Sequence, residues 1–188
     1  MKRTNVKALV SIGMLSSIAY LLMLIYFPLP LFPNFLSVDF SDIPALIAAL
    51  IFGPIAGIVV EFLKNVLNYF ATGSPSGIPV GHIANFLSGI MFILPTYFVY
   101  NKIKTRKGMT IALVFGTITM AIMMSILNYF IILPAYTALM GFPDMRNVVV
   151  PGILPFNIVK GVMMSVIFML MFIKMQAWIN KLTIVKNA

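Results

Sequence analysis

Long apolar segments constrain this chain more than any other feature of its sequence. They cover residues 8–27, 43–60, 83–100, 109–133 and 153–173. Because 61% of the chain is hydrophobic and only 9% is charged, it has too few polar side chains to cover the surface of a soluble protein. In hydrocarbon every backbone N–H and C=O must be satisfied internally, and these segments are much longer than barrel strands. The sequence therefore predicts an all-α integral membrane protein.

The basic residues indicate six helices rather than five. Cytoplasmic loops of membrane proteins collect Lys and Arg, and this chain has such clusters at residues 2–7, at residues 102–107 and in the tail from residue 174. A single helix over residues 42–72 would place the first two clusters on opposite sides of the membrane. An extra crossing within residues 42–72 places all the clusters on one side.

Gly53-Pro54 is the predicted position of that extra break. Proline lacks a backbone donor and clashes with the preceding turn, but it is favoured at the start of a helix. We therefore predict a short second helix over residues 42–52 and a third over residues 54–71. The second would be only about 16 Å long, so we expect it to end inside the protein, shielded by its neighbours. The six helices form a single transmembrane domain of residues 1–188.

This arrangement predicts that both termini are cytoplasmic in a bacterial inner membrane. The first apolar segment, residues 5–27, follows a basic start but precedes no convincing small-x-small cleavage site, so we interpret it as a retained span. The predicted outer loops are residues 27–41, 72–81 and 134–150. The first is rich in proline and large apolar residues, and we expect it to pack over another part of the protein.

Four predicted helices each carry a polar stripe or pair. They are the stripe Glu61, Lys64, Asn65 and Asn68, and the pairs His82 with Asn85, Ser125 with Asn128, and Asn157 with Lys160. All of these except Glu61 and Lys64 lie at a common depth in the outer half of the membrane. Polar groups within spans are costly and tend to face a cavity or one another. We predict an outward-facing pocket beneath the first loop. Its amides and amine favour a planar, neutral or weakly charged ligand with amide or imide edges.

Several of these residues also have a structural interpretation. For Glu61 and Lys64 we favour an ion pair within one helix over ligand contact. His82 is equally well explained as an interfacial histidine. Lys160 has no acidic neighbour on its own helix, which favours ligand contact, although it could snorkel from a helix end. Asn128 is a candidate either for ligand contact or for an interhelical hydrogen bond.

Missing motifs exclude several classes of function. The chain has no G-x-x-x-x-G-K-[ST] loop, so we expect no ATP hydrolysis. It has no H-E-x-x-H or G-x-S-x-G, no cysteine and one histidine, so we expect no catalytic site, cofactor or metal. The clustered cations indicate membrane orientation rather than a nucleic-acid partner. A self-sufficient proton-coupled carrier with Glu61 as its titrating group remains an alternative, although 188 residues without an inverted repeat is small for one.

The segment of residues 36–57 resembles a known family signature. With Asp-Ile-Pro at residues 42–44 and Phe-Gly-Pro at 52–54, it is similar to the S components of energy-coupling factor (ECF) vitamin transporters, and the whole chain is similar to their riboflavin-specific members. The resemblance implies high-affinity capture of riboflavin as transported substrate, without catalysis, for a T component and two ATPase subunits. Another vitamin, such as thiamin or biotin, is the alternative.

The resemblance also implies where the ligand and the partner would bind. We expect the polar edge of the isoalloxazine ring to meet Asn128, Asn157 and Lys160. The ribityl hydroxyls would reach Asp39, His82 or Asn85. The apolar walls would be Leu36, Phe40 and Tyr129. Members of the family dock the T component through an Ala-x-x-x-Ala pair on the first helix, and this chain has Gly13-x-x-x-Ser17 there, which retains small side chains.

Overall fold

The computed structural model describes residues 6–33, 35–74 and 77–187, and side chains as far as residue 176. Two of the predicted basic residues at the N-terminus, Lys2 and Arg3, lie outside the described residues. The same holds for the side chains of Lys181 and Lys186 in the tail.

Six main helices form the described part of the chain, as predicted. They are α1 (Val6–Leu24), α2 (Asp42–Phe52), α3 (Pro54–Thr72), α4 (Val80–Ile103), α5 (Arg106–Met140) and α6 (Leu154–Asn187). Five helical segments among the described residues are long and apolar enough to cross a membrane, and α2 is the short apolar exception.

The break between α2 and α3 lies at Gly53, as predicted. Gly53 has a φ of 101°, a conformation that favours glycine, and Pro54 begins α3. A Cβ added at Gly57 would lie 2.8 Å from the Ala49 Cβ, so the two helices pack in very close contact just beyond the break. Every residue of α2 from Asp42 to Ile51 is buried. The expectation that this short helix ends inside the protein is therefore confirmed.

A π-helical turn lies within α5, and a second one leads into α6. The turns cover Asn128–Ile132 in α5 and Val149–Ile153 just before α6, and they contact each other. The turn in α5 widens the helix before Pro134, which has no backbone N–H for the regular ladder, and the helix then continues to Met140. The prediction that the outer loop begins at residue 134 was therefore wrong, since the helix continues to Met140 and the connection to α6 covers only residues 141–153.

A short antiparallel pairing anchors the loop between α1 and α2. β1 (Phe27–Pro28) pairs with β2 (Ser37–Val38), in the register Phe27 opposite Val38 and Pro28 opposite Ser37. Residues between the two strands project from this pairing towards the start of α6. The Phe32 ring meets the Phe156 ring at 5.7 Å between centroids. The expectation that this loop packs over another part of the protein is therefore confirmed.

The short helix α2 lies at the centre of the bundle. It contacts α1, α3, α4 and α6, while α5 packs between α4 and α6. The N-terminal end of α2 reaches the base of the loop at Asp39 and Ser41. This position brings the first turn of α2 next to the polar residues of α3 and α6.

Candidate binding site

A cavity lies between the loop and three helices of the bundle. The loop contributes Phe35, Leu36 and Ser37. The helices contribute Gly81, Ala84, Asn85 and Ser88 from α4, Met124, Asn128, Ile132 and Tyr136 from α5, and Phe156, Asn157 and Lys160 from α6. Polar groups and apolar side chains therefore share its surface. Its volume is about 120 Å³, well below the roughly 300–1,000 Å³ of pockets that hold drug-sized ligands.

Two asparagines in the cavity wall are held by the backbone of their own helices. The Asn128 side-chain amide donates to the Met124 carbonyl at 2.7 Å, and the Asn157 amide donates to the Ile153 carbonyl at 2.8 Å. Asn128 begins the π-helical turn of α5, and Ile153 ends the turn that precedes α6. An asparagine side chain has two N–H donors and an accepting oxygen. Each therefore keeps one N–H and the oxygen for a ligand.

Helix α4 supplies a hydroxyl and an amide to the same cavity. Ser88 Oγ is buried and has no hydrogen-bond partner among the described residues. A buried hydroxyl without a partner is costly, so Ser88 is suited to a ligand contact. Asn85 accepts from Asn65 and donates to Asp39, both at 3.4 Å. These long contacts leave its amide able to reorient towards a ligand.

Lys160 lines the cavity and is also part of a buried charge cluster. Its Nζ lies 3.4 Å from Asp42 Oδ2, and the other oxygen of Asp42 pairs with Lys64. Lys64 also pairs with Glu61 at 2.9 Å, which confirms the ion pair predicted within that helix. Lys160 has no acid on its own helix, but folding brings the first residue of α2 to it. The ammonium therefore faces the cavity with its charge already compensated.

The base of the loop belongs to the same cluster. Asp39 accepts from the Ser41 backbone N–H at 2.8 Å and from the Ser41 hydroxyl. Ser41 in turn accepts from Lys64 Nζ at 2.7 Å. The segment that ends the loop is thereby joined through buried polar contacts to two residues of the cavity wall, Asn85 and Lys160.

Five of the nine predicted ligand contacts lie in the cavity wall: Leu36, Asn85, Asn128, Asn157 and Lys160. The other four lie elsewhere. Asp39 is behind Asn85, and the Phe40 ring packs on Phe27 at 6.0 Å. His82 contacts Asn68 Oδ1 at 3.0 Å.

The fourth residue outside the wall, Tyr129, is 43% exposed. Its ring packs against Phe130 and lies beneath the Arg146 guanidinium, 5.6 Å from the ring centroid. Tyr129 follows Asn128 directly in the π-helical turn, but its side chain points away from the cavity lining.

Sequence reasoning did not identify several residues of the wall, notably Phe35, Ser88, Tyr136 and Phe156. Three of them are aromatic, in a chain where aromatic residues are 13% of the total, so their type alone is no signal. Ser88 follows Asn85 by three residues on α4, and continuing the polar face from Asn85 would have found it.

The predicted docking residues lie on the exposed face of α1. Gly13 has open space where a Cβ would be, and Ser17 is exposed, with its hydroxyl donating to the Gly13 carbonyl at 3.1 Å. Their neighbour Ser16 is buried and faces the bundle. Gly13 and Ser17 therefore form a shallow, small-residue strip on the outside of the molecule.

Comparison with known proteins identifies the family. Residues 7–172 match the model of the ECF transporter, substrate-specific component. The chain belongs to this family. A solved structure of the S component of a bacterial ECF transporter superposes on it with a TM-score of 0.80 and 43% sequence identity, covering 92% of this chain and 96% of that one. The chain is thus a multi-pass S component, a transport protein and not an enzyme.

Two curated relatives are similar over almost their whole length. The riboflavin transporter FmnP of Bacillus subtilis is 52% identical over 182 residues, covering 94% of this chain and 96% of the relative. The riboflavin transporter RibU of Staphylococcus aureus is 42% identical over 180 residues, covering 94% of each.

Proposed function

We propose that this S component captures riboflavin in the cavity beneath its first loop and passes it to an ATP-driven module. The observation that carries the proposal is the set of polar groups in the cavity wall, in a chain 52% and 42% identical to two riboflavin transporters. The edge of the flavin ring carries an imide N–H flanked by carbonyl oxygens. Asn128 and Asn157 offer both donors and acceptors, and Lys160 offers donors.

The remaining wall suits the other parts of the vitamin. Apolar and aromatic side chains such as Phe35, Leu36 and Phe156 would cover the faces of the ring. Asn85 and Ser88 lie together on α4 and would meet the ribityl hydroxyls. Asp39, held against Asn85, would act on the ligand through that residue.

The size of the cavity implies that the loop moves when riboflavin enters. A volume of about 120 Å³ is too small for a three-ring heterocycle with a sugar-alcohol chain. The helical wall is braced by buried ion pairs, whereas the part of the loop between its two strands is held by the strand pairing and apolar contacts. We therefore assign the opening to the loop.

The cavity faces the outside of the cell in this proposal, and both termini face the cytoplasm. Helix α4 begins at the cavity and ends at the basic turn of residues 102–107, and α5 returns from that turn to the cavity. The cations are thus at the opposite end of the bundle from the cavity. Since cytoplasmic ends collect Lys and Arg, the cavity end is external.

Replacing Lys160 by Met tests the site. The variant keeps the length of the side chain and removes the ammonium, and we expect riboflavin affinity to fall by about 10–100-fold, the range for a hydrogen bond to a charged group. Quenching of flavin fluorescence by the purified protein measures it. Lys174→Met, an exposed lysine on the same helix but outside the cavity, is the matched control and should bind normally. Undiminished affinity of Lys160→Met would remove Lys160 from the site.

The strip of Gly13 and Ser17 is the proposed contact with the T component, whose two ATPase partners would drive uptake. Replacing both residues by Leu should abolish ATP-driven riboflavin uptake and leave riboflavin binding intact, because the strip lies outside the cavity. Thr110→Leu, an exposed polar position on α5, is the control. Normal uptake by the double variant would refute this contact.

A further inference from the structure

A second and larger depression lies between α4 and α5, at the other end of the bundle from the cavity. It has a volume of about 490 Å³ and an almost wholly apolar surface. We refer to it as the α4–α5 groove; its lining residues are Ile90, Met91, Leu94, Pro95, Phe98, Val99, Lys102 and Phe115. Seven of these eight residues are apolar and one is a lysine.

The length of the groove matches one leaflet of a bilayer. Its lining on α4 runs from Ile90 to Lys102, which is about 18 Å along a helix that rises 1.5 Å per residue. One half of a hydrocarbon core about 30 Å thick is about 15 Å deep. If an acyl chain lay along the groove, the end that carries the headgroup would therefore lie close to Lys102.

Charge at that end of the groove is uncompensated. Lys102, Lys104 and Lys107 are exposed, and within the described part of the chain none of them takes part in an ion pair. The four acidic residues of the chain lie elsewhere. Three of them, Asp39, Asp42 and Glu61, belong to the buried cluster, and Asp144 pairs with Arg146.

Lys102 is the cation best placed for a ligand in the groove. The neighbouring Arg106 is turned towards α6, where its Nε donates to Gln176 at 2.9 Å. Lys102 lines the groove itself, and its long side chain allows the ammonium to reach the membrane surface while its methylenes cover apolar surface. A cation at the end of an apolar groove complements a headgroup with a negative charge.

We infer that the α4–α5 groove binds an anionic phospholipid, with an acyl chain along α4 and the headgroup phosphate at Lys102. Basic residues between transmembrane helices at the membrane surface are typical of sites for anionic headgroups. The inference rests on groove length, apolar lining and charge, and is independent of the ligand in the cavity.

Native mass spectrometry of the purified chain in a neutral detergent tests this inference. Phosphatidylglycerol and phosphatidylcholine with the same acyl chains are added in parallel, and bound lipids are counted as a function of concentration. We expect phosphatidylglycerol to bind about fivefold or more tightly, the effect of one lysine at a membrane surface. Equal affinity for the two lipids would overturn the inference.

Three variants separate this site from a general attraction of anionic lipid to a basic protein. Lys102→Gln should reduce phosphatidylglycerol binding to the level of phosphatidylcholine, whereas Lys174→Gln, an exposed lysine outside the groove, should have no effect. Leu94→Trp fills the groove and should weaken both lipids. If the two lysine variants lost phosphatidylglycerol binding equally, the lipid would be attracted by the overall surface charge, and the proposed site would be contradicted.

Glycerol phosphate added in excess separates a lipid from a free anion. It should not displace phosphatidylglycerol, because the acyl chain supplies much of the contact. Full displacement would show that the headgroup alone is recognised and would overturn the role of the groove. An unchanged helical circular-dichroism spectrum of each variant serves as the check that the protein is folded.

Discussion

The two walls of the cavity are built in different ways. The polar residues of the helical wall are tied to their surroundings: Asn128 and Asn157 bond to their own helices, and Lys160 faces Asp42. The loop wall is held by a two-residue strand pairing and by apolar contacts such as that of Phe32 with Phe156. Because these polar side chains are already held in place, less conformational entropy is lost when a ligand binds to them. In the proposed function, this difference assigns recognition of the ligand to the helical wall and its entry to the loop.

Asp42→Asn removes the brace of the helical wall and should have the largest effect. It leaves Lys160 and Lys64 buried with too little negative charge, because Asp42 contacts both. Removing one partner of a buried ion pair costs about 3–5 kcal/mol. We therefore expect the free energy of unfolding to fall by this amount. Denaturation of the purified protein in detergent measures it.

Asp144→Asn is the matched control, since it breaks an exposed pair with Arg146. It should leave the free energy of unfolding unchanged within error. A loss below about 1 kcal/mol for Asp42→Asn, the range of surface ion pairs, would mean that the buried cluster does not brace the wall.

Phe35→Ala weakens the loop wall and should have an intermediate effect. Phe35 lines the cavity from the loop, and loss of one aromatic contact of about 0.5–1.5 kcal/mol corresponds to a roughly 2–10-fold lower affinity. We expect most of this loss as faster dissociation of riboflavin, because changes within one interface act mainly on the off-rate. The dissociation rate is measured by stopped-flow fluorescence. Bound riboflavin is displaced by an excess of a non-fluorescent competitor, and the recovery of flavin fluorescence is followed.

Leu31→Ala is the control for the loop, because Leu31 is fully exposed at its tip. It should leave the dissociation rate unchanged. If Phe35→Ala instead slowed association and left dissociation unchanged, the loop would not be the cover that retains the ligand.

His82→Ala should have the smallest effect. His82 lies on the face of α4 that packs with Tyr69 and Asn68, and it does not line the cavity. We expect riboflavin affinity to stay within about twofold, as for substitutions away from a site. Asn85→Ala, three residues further along α4 and in the cavity wall, should lose more. A tenfold loss of riboflavin affinity for His82→Ala would instead support the prediction from the sequence that His82 contacts the ligand.

The architecture was predictable where a single residue type decides the outcome. Gly53-Pro54 marks the break because proline is favoured at the start of a helix and glycine adopts the required φ of 101°. Residues 134–140 were predicted to lie in a loop, but a π-helical turn precedes Pro134 and α5 continues to Met140. Whether proline ends a helix or follows a widened turn depends on tertiary packing, which local sequence does not contain.

The site was predictable mainly for its polar residues, with Leu36 as the one apolar residue of the wall that was predicted. Asn128, Asn157 and Lys160 stand out because polar groups are rare in an apolar span. The aromatic wall and the pairing of Lys160 with Asp42 were missed, since both depend on contacts between elements distant in sequence. His82 was predicted from its depth, but depth does not determine which side of α4 faces the cavity.

Titration of the purified, unsubstituted protein with riboflavin, followed by flavin fluorescence, tests the central claim most directly. After thorough washing, we expect a co-purifying yellow chromophore or stoichiometric quenching on addition of riboflavin, with no competition from thiamin or biotin. Absence of any flavin signal, together with tight binding of another vitamin, would contradict the assignment of riboflavin to this cavity.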